Sequence, residues 1–64
     1  MNKKQIKNEI AIAYMQYKLD ETLDKIYYAG IIQGIAIIGS RICEVPEYFD
    51  LFDYAEKIIK KIMQ

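Results

Sequence analysis

From Lys3 to Ala29 the chain contains neither glycine nor proline and consists mostly of good helix formers. On a helical projection Ile6, Ile10, Ala13 and Tyr17 share one narrow stripe, with Tyr14 at its edge. Ile12, Leu19, Leu23 and Ile26 fall roughly opposite. The pattern therefore predicts either one long helix with two apolar faces or two helices broken near Asp20. In the second case Asp20 would cap the new helix, with Glu21 and Asp24 suited to its positive end. No helix breaker lies in the stretch, which favours the continuous helix over about residues 3–29.

Gly30 is the first candidate stop. The following run, Ile31 to Ile38, is apolar on every side except at Gln33. Its isoleucines also suit a β-strand, but no second β-rich run exists to pair with it. A helix over 31–42 is the expectation, with Gly39 loosening its last turn. Pro46 suits the first turn of a final helix over about 46–63. There Tyr48, Leu51, Phe52, Ala55, Ile58, Ile59, Ile62 and Met63 fit an arc of about 140°. Acids gather at the front of that helix and lysines at the back, as the helix dipole favours.

These elements predict an all-α fold of two to three helices forming one small domain over residues 1–64. Burial then poses a problem. A chain of about 60 residues buries only about 60% of its unfolded surface, and a central segment apolar all round has more surface than two neighbours cover. A homodimer is expected to complete the bundle. Its interface would use Leu19, Leu23, Ile26, the groove at Gly30 and Gly34, and the arc of the final helix.

Composition narrows the chemistry. With no His and a single Cys, the chain has no Cys/His zinc set and no disulfide framework. Cys43 lacks the usual base of a nucleophilic thiol and reads as a small buried hydrophobe. No carboxylate pair comes with a cleft, a base or a metal set, so neither enzyme activity nor a cofactor is expected. Nine basic and nine acidic residues cancel, leaving no overall field to draw nucleic acid or an anionic membrane. Lys3, Lys4 and Lys7 read as a solvated face. The Met-Asn-Lys-Lys start has no apolar run close behind it, so a cytoplasmic location is expected. The uncharged run from Ile26 to Ser40, with Gly30 and Gly34 in a membrane-like packing spacing, is shorter than the roughly twenty residues that span a bilayer.

The sequence names no reaction. Acids recur every third position at Glu44, Glu47, Asp50, Asp53 and Glu56, a track that could imitate nucleic-acid phosphates. Three-residue spacing also falls out of amphipathic patterning, and the track winds by about −60° per step instead of forming one stripe. The six tyrosines suit the edges of a small core or a protein interface. Phe49 projects outside the apolar arc, either packed by a neighbouring segment or kept for a partner. If a dimer takes the strongest apolar surfaces, the stripe of Ile6, Ile10, Tyr14 and Tyr17 is left over, together with Phe49, Asp50, Asp53 and Tyr54. The last four are the candidate partner-binding site, an aromatic anchor beside carboxylates.

A/T-rich codon residues dominate over Gly, Ala, Arg and Pro, suggesting a low-GC bacterium or one of its phages or plasmids. The expected function is a small non-catalytic module that binds a larger host protein stoichiometrically as inhibitor or modulator, for example of a host defence system. The alternatives are an acidic nucleic-acid mimic using Glu44–Glu56, and a membrane-associated immunity or lysis factor.

Overall fold

The computed structural model describes residues 2–22, 24–43 and 47–64, the side chains of Glu47 and Tyr48 excepted. It contains three helices: α1 (Lys3–Leu19), α2 (Lys25–Ile42) and α3 (Glu47–Met63). α2 is central and packs against both others. The all-helical bundle agrees with the sequence reading, including a helix and not a strand at 31–38. The role expected of Pro46 lies outside the described residues.

The continuous helix over 3–29 is corrected: α1 ends at Leu19 and α2 begins at Lys25. Two aspartates cause the break. The Asp20 backbone N–H donates to the Tyr17 carbonyl at 3.2 Å. Its Oδ1 accepts from the Thr22 N–H at 2.9 Å and from the Thr22 hydroxyl at 2.8 Å, a local turn that competes with helix continuation. The cap of α2 is Asp24, not Asp20: Asp24 Oδ1 accepts from the Tyr27 N–H at 3.0 Å. At the front of α1, Asn2 and Gln5 form a reciprocal capping box, with bonds of 2.8 and 2.9 Å. Gly30 stops nothing, since it lies within the first turns of α2.

The core takes Ile6, Ile10 and Ala13 from α1, Tyr28, Ile32 and Ala36 from α2, and Leu51, Ala55, Ile58 and Ile62 from α3. One alanine from each helix lets the backbones approach. Full burial of an Ile or Leu is worth about 1.5–3 kcal/mol, and five such side chains are wholly enclosed: Ile6, Ile10, Ile32, Leu51 and Ile62. Gly39 is buried too, under Ile6 and Leu51. Cys43 is half-buried and packs against this core. Within the arc of α3, Phe52 and Met63 are the exposed edges.

The expected leftover stripe of α1 is therefore corrected. Ile6 and Ile10 are core, and Tyr14 and Tyr17 pack half-buried against it. The second stripe does not exist as one surface, because the break at Asp20 puts Ile26 on a different helix. Its members Leu19 and Ile26 are left outside, 80% and 79% exposed.

Candidate interaction surfaces

Three surfaces stand out, and each follows from how the helices are laid. The first is the outer face of α2. Tyr28, Ile32, Ala36 and Gly39 turn one side of the helix into the core. At 100° per residue the opposite side then carries Ile26, Tyr27, Gly30, Gly34, Ile37 and Ile38. Tyr27 is 59% and Ile38 61% exposed. A Cβ built on Gly30 or Gly34 would meet nothing within 4 Å. Within this chain the close helix approach is at Gly39, and the Gly30/Gly34 seam is open. Of the expected interface residues, Leu19, Ile26 and Gly30 are exposed and Gly34 is half-buried, while Leu23 lies outside the described residues.

Two surface grooves flank that face. One of about 320 Å³ runs between α2 and α3, past Gln33, Ala36, Phe52 and Ile59. The other, of about 220 Å³, runs between α1 and α2, past Ile6, Ile35, Ile38 and Ile42. Both walls are mainly apolar, and they bring no nucleophile together with a base.

The second surface is the outward side of α3. The candidate partner site is split there. Phe49 is 56% exposed, and helical spacing puts Asp53, Glu56 and Lys60 on its side of the helix. Asp50 instead accepts from Lys3 Nζ at 2.8 Å, joining α3 to α1. That ammonium, by its hydrogen bond and its charge, holds the Asp50 carboxyl below the ordinary range. Tyr54 packs against the core, with Lys7 Nζ 5.3 Å from its ring centre. Of the acid track, Asp50 is matched by Lys3, and Glu56 lies 3.5 Å from Lys60. Glu44 and the side chain of Glu47 fall outside the described residues. A phosphate-like row would need those charges unpaired, so the arrangement gives the track little support.

The third surface was not singled out from sequence. Tyr14, Tyr17, Tyr28 and Tyr27 form a ring series across the α1–α2 hairpin, with centroid distances of 6.4, 5.6 and 5.2 Å. Lys18 Nζ sits 4.6 Å from the Tyr14 ring. The Tyr28 hydroxyl donates to Asp20 Oδ2 at 2.8 Å. Asp20 is held below the ordinary carboxylate range, first by the Thr22 N–H, then by the Tyr28 hydroxyl and the Thr22 hydroxyl. Tyr28 is raised correspondingly, first by that bond and then by burial. The signal for this series was the density of tyrosines on both sides of Asp20, which becomes a cluster only once the hairpin folds.

Among the described residues no group of three or more His, Cys, Asp or Glu could hold a metal ion, and no helix is long and apolar enough to cross a membrane. Compared with known proteins, the chain matches no family model, no curated sequence and no solved structure.

Proposed function

We propose that the protein is a non-catalytic binding module that docks stoichiometrically on a larger protein and modulates or inhibits it, as small proteins of phages and plasmids in A/T-rich hosts do. The observation that supports this reading is the apolar surface left outside the folded helices. The chain exposes 4642 Å², whereas a folded monomer of 7.5 kDa is expected to expose about 4200 Å². Leu19, Ile26, Tyr27, Ile38 and Phe49 are each more than half exposed, and they are residue types that build interface cores. On α3, Phe49 among charged neighbours has the form of an anchor with a polar rim.

The test is capture from a lysate of the encoding organism, comparing the wild-type chain with a variant carrying both Phe49→Ala and Asp53→Lys. A larger protein retained at one-to-one stoichiometry by the wild type and released by the double variant is the expected result. If the two baits retain the same proteins, the reading fails.

A further inference from the structure

We infer that the occupant of the outer face of α2 is the same face of a second copy, packed antiparallel about a two-fold axis that crosses the Gly30/Gly34 seam at the level of Ile32. This goes beyond the proposed function: the larger protein is met at Phe49 on α3, and the outer face of α2 is given to self-association.

The spacing of the face carries the argument. An antiparallel two-fold axis at the level of Ile32 sets Ile26 of one copy beside Ile37 of the other, Tyr27 beside Ile38, and the Gly30/Gly34 pairs across from each other. Each apolar side chain thus meets an apolar side chain of the partner copy, and each glycine meets a glycine. At 100° per residue the Gly30/Gly34 seam lies at the centre, with Ile26 and Ile37 on one side of it and Tyr27 and Ile38 on the other, so each side of the seam meets its own counterpart across the axis. An isologous interface requires this reciprocity, residue i on j and j on i. A foreign partner would impose no such symmetry.

Area and charge agree with it. Ile26, Tyr27, Ile37 and Ile38 leave exposed on the order of 500 Å² of surface. With the two glycines and the stems of Gln33 and Arg41 this approaches the roughly 800 Å² per partner of a stable interface. The face carries no charge until Arg41, which is exposed. The antiparallel arrangement brings Arg41 to the partner copy's α2 start, where Glu21 and Asp24 are exposed. A parallel pair would set the two Arg41 side chains together. The open seam lets the helices approach at the axis, where an added Cβ meets nothing in one copy.

Sedimentation over a range of concentrations tests the proposal, with Gly34→Leu as the key variant because a Cβ there meets nothing within 4 Å in the single copy. The wild type should dimerise, and Gly34→Leu should weaken self-association by about thirtyfold or more, a hot-spot loss, with helicity unchanged. Ile38→Glu should act likewise, and Met15→Glu, on α1, should not. Orientation is read in a Cys43→Ala background by disulfide formation. A mixture of Ile26→Cys and Ile37→Cys chains should cross-link, whereas Ile26→Cys alone should not, its two copies lying about 18 Å apart along the helices. A wild type that stays monomeric at about 100 μM, or a Gly34→Leu chain that dimerises equally well, overturns the proposal. Ready cross-linking of Ile26→Cys alone overturns the antiparallel pairing. A monomer whose capture of a larger protein is abolished by Gly34→Leu overturns the second copy while leaving the proposed function standing.

Discussion

A Cβ placed on Gly39 would lie 2.7 Å from Ile6 Cγ2 and 3.0 Å from Ile6 Cδ1. This contact sets how closely α1 lies on α2. Leu51 Cδ1, at 3.3 Å, closes the same point from α3. The Cγ2 methyl branches next to the backbone of a fully buried residue, so it yields only if α1 moves. Gly39→Ala gains about 0.5–1 kcal/mol of helix propensity but overpacks the junction at about 1–3 kcal/mol. The expected net effect is destabilisation of about 1 kcal/mol, a fall of roughly 4–8 °C in Tm. Made in an Ile6→Ala background the same change should be harmless or stabilising. Equal cost in both backgrounds would show that the contact does not set the helix spacing.

Gly30 provides the opposite case on the same helix. Nothing lies within 4 Å of a Cβ added there. Gly30→Ala should therefore raise stability by about 0.5–1 kcal/mol, measured by chemical denaturation at concentrations where the chain is monomeric. A loss under those conditions would mean that this part of α2 is packed against something within the single chain.

The contrast between these glycines shows what was legible in the sequence and what was not. Periodicity marked the core stripes of α1 and α3 because each is amphipathic on its own. In α2 isoleucines surround the helix, so periodicity could not say which face was core, and the GxxxG spacing drew attention to Gly30 and Gly34 while the close approach is at Gly39. The break after Leu19 is made by hydrogen bonds of Asp20 and Asp24, residues that are also compatible with a helix. Phe49 was readable as an outlier from its arc. The recruitment of Asp50 by Lys3 was not, since it joins the two ends of the sequence and depends on α1 lying beside α3.

Those carboxylates also fix the expected pH dependence. Asp20 and Asp50 both have folded values below the ordinary carboxylate range, whereas in the unfolded chain each titrates near pH 4. Their contribution to stability is complete above about pH 4 and is lost as pH falls through the folded values. Tyr28 is shifted the other way. Its contribution is complete below about pH 10 and is lost as pH rises through its raised value. With no histidine in the chain, Tm should be flat near pH 6–7 and should fall on the acid side. Asp20→Asn should lower Tm at neutral pH and make the acid limb shallower. An acid limb identical to that of the wild type would remove Asp20 from the account.

Phe49 and Leu51 are near neighbours on α3 with opposite environments, and their alanine variants separate binding from folding. Leu51 is fully enclosed by the other helices, so Leu51→Ala removes buried surface and leaves a cavity, at about 2–5 kcal/mol. A domain of this size has only about 3–10 kcal/mol in total, so thermal melts of Leu51→Ala should be broad and low or absent. Phe49 is more than half exposed beside Asp53 and Glu56, and its removal should shift Tm little. As an anchor for a larger protein it should nevertheless contribute more than about 1 kcal/mol to that complex, a loss of roughly fivefold or more in affinity by calorimetric titration. Reversing Asp53 with Asp53→Lys should act mainly on the association rate and its salt dependence, as rim charges do. If Phe49→Ala unfolds the chain as Leu51→Ala does, Phe49 belongs to the packing of α3 and the partner site must be sought elsewhere.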